Sequence, residues 1–327
     1  MTTDDVTTTP LADRDSRSFR NILLRLLVAS QNSDGGWSYH PAGQSAIEPT
    51  AWTLCALQNE HRDSASNKAI ASGKDWFERN QLSDGSWPAF ASQAEGCWVT
   101  SLACLALHEI AGESDAVSRG LAWLSQSWPR RPNFLQRLRQ RLSPSSALTR
   151  QNNSLSGWAW TANTSSWVEP TSYALIFMRR LALARLSPLA LKRRELAEAM
   201  LCDRMCPGGG WNSGNPLVYG VAGEPLVGPT VWALLGLRDS GELPQVRESL
   251  QWLERSMPHI RGGVSMATAH MCLEVYGRPV TEIEPQLRSL FETDRLLNNI
   301  SVIALAALSL NPSRSLFPAA AREVAAR

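Results

Sequence analysis

The apolar positions of this chain gather into six short blocks, each opened by a small hydroxyl residue. TAWTLCAL begins at Thr50, TSLACLAL at Thr100, TSYALIFM at Thr171 and TVWALLGL at Thr230. TAHMCLEV from Thr268 and SVIALAAL from Ser301 are weaker copies. Each block reads as an Ala/Leu-rich helix, and six returns of one pattern mark internal repetition. A second set of helices is expected between the blocks, over 18–30, 65–79, 115–126, 189–205, 245–256 and 283–292. Polar, glycine-bearing turns join the two sets. Two of them end in tryptophan after the same phrase, Gln31 to Asp34-Gly35-Gly36-Trp37 and Gln81 to Asp84-Gly85-Ser86-Trp87. Gly157-Trp158 and Gly208-Gly209-Gly210-Trp211 keep part of it, and Arg261-Gly262-Gly263 keeps only glycine.

Six helix–turn–helix units stack as an open solenoid or close into a ring. Open solenoids need polar end repeats, yet the first and last apolar blocks here are as apolar as the middle ones. The pattern therefore predicts an all-α fold, an (α/α)6 toroid with the six blocks as inner helices; an irregular all-α domain is the alternative. The expected layout is a disordered leader over 1–15, a single toroid over 16–310 with an insertion at 127–157, and a tail over 311–327.

Composition changes this picture little. Of 327 residues, 43% are apolar and 19% charged, and the net charge of +2 gives no global argument for nucleic acid or membrane. Thirteen tryptophans against seven phenylalanines is unusual, and most of the tryptophans stand at repeat positions. The polar start has no apolar segment of a secretory signal, and no apolar run reaches the length of a membrane span. Six scattered cysteines, with Cys55, Cys104 and Cys272 inside apolar helices, suit a reducing cytoplasm.

The two complete turns resemble the glutamine–tryptophan repeats of squalene and oxidosqualene cyclases. More broadly, 18–310 resembles the terpenoid cyclase and protein prenyltransferase α/α-toroid superfamily. The Gln and Trp of each turn read as structural staples, Gln bonding orphan backbone groups at helix ends while Trp packs over the turn. The resemblance implies an isoprenoid or other apolar small molecule in a central cavity. In class II cyclases an Asp-x-Asp-Asp-Thr-Ala motif opens an inner helix, and its middle aspartic acid protonates an alkene. Laid on Ala46-Ile47-Glu48-Pro49-Thr50-Ala51, it puts Glu48 at the proton donor, with Ala46 and Pro49 where supporting acids belong.

The residue two before each anchor stands at the inner-helix mouth: Glu48, Trp98, Glu169, Gly228, Met266 and Asn299. Glu48 and Glu169 share the phrase Glu-Pro-Thr, which is also a good helix start. If both face inward they form an acid–base pair of the kind carbohydrate enzymes use. Two residues after each anchor come Trp52, Leu102, Tyr173, Trp232, His270 and Ile303. Facing the ring centre, these make an aromatic wall suited to cations or to isoprenoid binding; facing outward, they pack inner against outer helices. The expected substrate contacts are Trp52, Trp98, Tyr173, Trp232, His270 and Asn299, with Glu48 and Glu169 as catalytic carboxylates.

No metal and no cofactor are expected. Leu226-Val227-Gly228-Pro229-Thr230 lacks the Asp-x-Cys pair with which prenyltransferase β-subunits hold zinc, and Cys202 and Cys206 have no matching pair at zinc-site spacing. Gly208-Gly209-Gly210 lacks the Lys of a phosphate loop, and Gly96-Cys97-Trp98 is not a thioester motif. The insertion is basic: Ala116 to Val168 holds no Asp or Glu, and Arg137, Arg139 and Arg141 lie in a segment with Leu135, Leu138 and Leu142 on one helical face. Such a helix lies on an anionic membrane, binds a diphosphate head group, docks a partner, or packs on the ring with its arginines solvated. The expected location is cytoplasmic, with 130–142 as the segment that would touch an inner membrane surface. Nucleic acid is not expected. Three readings stay open: an isoprenoid cyclase, a non-catalytic lipid- or protein-binding ring, and a carbohydrate-active ring using Glu48 and Glu169.

Overall fold

The computed structural model describes residues 11–58, 63–130, 151–218, 220–278, 283–293, 299–311 and 316–317. Arg137, Arg139 and Arg141, and all but the ends of the expected insertion, lie outside them.

Twelve α-helices are found among the described residues. The inner six are α2 (Ile47–Gln58), α4 (Val99–Ala111), α6 (Val168–Met178), α8 (Val227–Gly236), α10 (Gly263–Val275) and α12 (Ile300–Ser309). The outer six are α1 (Leu11–Ala29), α3 (Ser64–Arg79), α5 (Asp115–Gln126), α7 (Pro188–Asp203), α9 (Pro244–Ser256) and α11 (Ile283–Glu292). Each inner helix packs on the next, and α12 returns to α2, so the ring is closed. Inner helices are buried almost along their whole length, which is why their sequences are apolar on every side. Outer helices carry polar outward faces and their own start signals: Asp63, Ser114 and Ser187 cap α3, α5 and α7, and Pro244 opens α9. The first helix begins at Leu11, earlier than the expected 18. Leu316 and Phe317, in the expected tail, are buried in the common core.

Ring closure is sealed between the chain's two ends. Arg20 of α1 is buried and its Nε donates to Ala307 O of α12 at 2.8 Å. Burial lowers its pKa to about 10, so it stays charged at neutral pH. Phe19 meets Phe291 edge to face, with Arg288 over its ring at 4.8 Å.

The turns of units one to four share a set of staples, complete in units one and two. Gln31 Nε2 donates to Gly35 O and, at 2.8 Å, to Ala69 O on the next outer helix. Gln81 repeats this with Gly85 O and Ala116 O. The turn indoles of Trp37, Trp87, Trp158 and Trp211 donate Nε1–H to Leu27, Phe77, Leu124 and Leu201 carbonyls at the ends of outer helices. Their backbone N–H groups all reach the anchor hydroxyls of Thr50, Thr100, Thr171 and Thr230, at 2.8–3.0 Å. The unit-three turn gains a cation from the next outer helix: Arg193 of α7, fully buried, lies against the rings of Trp128 and Trp158 and donates to Ser127 O and Gly157 O.

The carbonyl two residues after each turn tryptophan accepts an N–H at the start of the preceding inner helix. Ala89 O takes Ile47 N, Trp160 O takes Trp98 N, Ser213 O takes Val168 N, and Tyr39 O takes Ile300 N, closing the circle. Orphan helix-start donors are thereby satisfied around the mouth. In unit four the turn-to-anchor spacing grows from 13 residues to 19. The extra residues form a small hairpin, β3 (Leu217–Val218) with β4 (Val221–Ala222), beside the mouth; β1 (Trp37–Ser38) and β2 (Ser45–Ala46) pair in unit one.

The stapled turns are sterically tight. Gly35 has φ +98°, and a Cβ there would stand 2.6 Å from Ser72 O; Gly85 is in the same position against Arg119 O. Gly35→Ala is expected to cost about 1–3 kcal/mol, because both the dihedral and the contact are refused to alanine. Chemical denaturation of the variant checks it, and an unchanged midpoint would contradict the account.

Candidate active site

Six inner helices point their first turns at one mouth. Glu48 is the second residue of α2 and Glu169 the second of α6; Gly228 holds the same place in α8. Trp98 and Asn299 are the N-caps of α4 and α12, and Met266 is in the first turn of α10.

Glu48 is partly buried. The Tyr39 hydroxyl donates to its Oε2 at 2.6 Å, and the Trp52 side chain, one turn further along α2, also hydrogen-bonds to it. Burial pushes the Glu48 carboxyl up, while those two donors pull it partly back. Glu169 is also pushed up, first by burial and then by the charge of Glu48. The Tyr173 hydroxyl is raised by burial and by the charges of Glu48, Glu169 and Tyr39, so all four groups face one space. Of the two carboxyls, Glu48 has the donors that favour its charged form, while Glu169 feels the charge of Glu48.

Below the carboxylates lies a packed aromatic layer. Trp52 and Trp232 stack at 5.2 Å with 18° between planes, and Tyr173 meets both edge-on at 6.2 and 5.0 Å. Trp98 stacks on Tyr173 at 5.4 Å and takes Trp160 edge-on at 4.9 Å. Trp98 and Trp160 remain partly exposed at the mouth, whereas Trp52, Tyr173 and Trp232 are buried.

The structure thus brings together Glu48, Glu169, Trp52, Trp98, Tyr173 and Trp232. His270 holds the register of Trp52 on α10, with Nε2 at 3.9 Å from Glu274 Oε1 one turn on. Asn299 turns its Oδ1 back to the N–H groups of Ser301 and Val302, where it caps α12. Tyr39 and Trp160 escaped the sequence reading. Both stand two residues after a turn tryptophan, a register that only becomes informative once that position is known to touch the neighbouring helix mouth.

Among the described residues no three His, Cys, Asp or Glu side chains gather as a metal would require. All six cysteines are free thiols, and no described helix is long and apolar enough to cross a membrane.

Burial that raises a carboxyl pKa destabilises the fold wherever that group must ionise. The folded chain then holds more protons than the unfolded one, so stability falls as pH rises from the unfolded carboxylate range, about 4.3, through the raised value. Glu169→Gln, which keeps shape without charge, is therefore expected to melt higher than wild type at neutral pH, and the gain should vanish at about pH 4 and below. Melting curves across pH check this, and a variant less stable at neutral pH would reverse the assignment.

No family model matches the chain, and no curated protein is similar to it in sequence. Solved structures are similar in fold. The type II terpene cyclase MstE from Scytonema aligns with a TM-score of 0.62 and 12% identity, over 93% of this chain and 99% of that one. A variant of that cyclase in complex with its substrate, geranylgeranyl dihydroxybenzoate, gives 0.60 and 12%, over 93% and 98%. An α-1,6-mannanase variant from Salegentibacter, in complex with α-1,6-mannotriose, gives 0.58 and 10%, over 92% and 100%. Sugar-acting and terpene-acting rings thus share this architecture, and in fold the chain is a single terpenoid cyclase-like α/α toroid.

Proposed function

We propose that this protein is an acid catalyst of isoprenoid cyclisation, with Glu48 as the proton donor. The observation that carries the reading is the setting of Glu48: a carboxyl raised by burial, bonded to Tyr39 and Trp52, above an aromatic layer. Burial favours the protonated form that a proton donor needs. The two donors strengthen as the carboxylate forms, which is where a catalyst needs them. In the step, the Glu48 O–H bond breaks, a C–H bond forms at one alkene carbon, and the π electrons leave a cation on the other. Attack by a second alkene closes a ring, and water takes a proton from the carbon next to the final cation, whose C–H electrons form the new alkene. A proton from water restores Glu48, so the net change is an isomerisation. Trp98, Trp160 and Tyr173 present aromatic groups to such cations.

A second reading rests on Glu169. Two coupled carboxyls with two partly exposed tryptophans also make a sugar site, one group as acid and one as base. The deciding experiment incubates the purified protein with geranyl, farnesyl and geranylgeranyl substrates and, separately, with α-mannosides and cellobiose. Mass spectrometry of both sets of products decides it. A cyclic isomer of an isoprenoid supports the proposal; turnover of a sugar alone moves the protein to the second reading; turnover of neither leaves a binding ring without chemistry.

A further inference from the structure

The inner helices of units one and four are opposite each other in a six-membered ring, three steps apart in either direction. Yet Trp52 from one and Trp232 from the other stack face to face on the axis. Tyr173 closes on both from the third unit. Exposures of 1%, 4% and 6% show that these rings cover one another instead of lining an open bore. Leu102 and Ile303, at the same level of α4 and α12, are equally buried. This layer begins four residues beyond the mouth, a depth of about 6 Å at the helical rise.

Space at the mouth is lateral instead. A Cβ added at Gly228 would meet only Glu169 Oε1, at 3.9 Å. Unit four therefore leaves a notch where units one and three carry a glutamate. Beyond the notch the rim is apolar, with Leu226 and Val221 well exposed.

We propose that Trp52 and Trp232 are the floor of the site, and that they restrict the protein to short isoprenoids held in the mouth. The terminal isoprene unit rests beside Glu48 on the Gly228 side, above the floor, and the rest of a short chain leaves through the notch along the Leu226 rim. A folded triterpene has no room below the carboxylates. This rests on the isoprenoid reading above and narrows it to a substrate class.

The test measures retention, not turnover. Wild type and Trp232→Ala are incubated with geraniol, farnesol or squalene, passed through a desalting column, and the retained lipid is quantified by mass spectrometry. Wild type is expected to retain geraniol and farnesol about tenfold better than squalene, and Trp232→Ala to retain squalene about tenfold better than wild type does. Trp232→Leu, which keeps more core volume, should fall between them and serves if the alanine variant does not fold. Equal retention of squalene by wild type and either folded variant overturns the floor while leaving the isoprenoid reading standing. Retention of none of the three lipids by any protein overturns both.

Discussion

Glu48→Gln is expected to lower cyclic product by about 10²–10⁴-fold, the usual worth of a positioned general acid, while the protein melts higher at neutral pH. The two effects have one cause. The buried carboxyl is raised because its charge is poorly solvated, so removing the charge relieves the fold and removes the proton together. A purely structural glutamate would show the opposite pairing, lower stability with activity tracking the folded fraction. Tyr39→Phe separates the roles further. It deletes the donor at 2.6 Å that favours the charged form, leaving Glu48 a weaker acid. Activity should drop about tenfold, within the worth of one hydrogen bond to a charged group. The sign of the pH effect is fixed: the reaction needs protonated Glu48, so rate falls as pH rises through its pKa. Tyr39→Phe raises that pKa and moves the falling limb to higher pH. A limb that stays in place would remove Tyr39 from the site.

Ring architecture was readable because two periodicities agree. Apolar blocks opened by Thr and turns closed by Trp recur in step, and each partner makes sense of the other only in a repeat. Five of the six outer helices begin within one residue of their expected starts, since caps such as Ser114 and Asp63 act locally. Convergence of the mouth residues was also readable, because all six inner helices run the same way through the ring. What the sequence withheld was side-chain direction over long separations. Trp52 and Trp232 are aromatic at the same register, but whether they flank a channel or meet across it depends on ring diameter, which no local pattern encodes. Asn299 shares the register of Glu48 yet spends its side chain on the helix end. Asn is a strong N-cap where Glu is not, so residue chemistry overrode position there.

The anchor threonine makes the most exacting claim about the fold. In units one to four its Oγ1 accepts the turn tryptophan's backbone N–H; in unit one it also donates to Ala46 O at 2.7 Å. Thr50→Val keeps the shape and β-branching but cannot accept, leaving the fully buried Trp37 N–H without its partner. The expected loss is about 2–4 kcal/mol, a buried unsatisfied donor plus one lost bond. Thr268 of unit five makes the contrast. Its turn has no tryptophan, and Oγ1 donates to Val264 O within its own helix at 2.8 Å. Thr268→Val should therefore cost less than about 1 kcal/mol, because that bond replaces nothing the helix lacks. Denaturant midpoints at constant m-value measure both. Equal losses at the two positions would mean that the hydroxyl serves the helix start alone. A large gap would mean that it was kept to hold the tryptophan turn against its inner helix, and so to fix the carbonyl two residues on that ties one helix mouth to the next. The position of Glu48 would then depend on Thr50 as much as on its own helix.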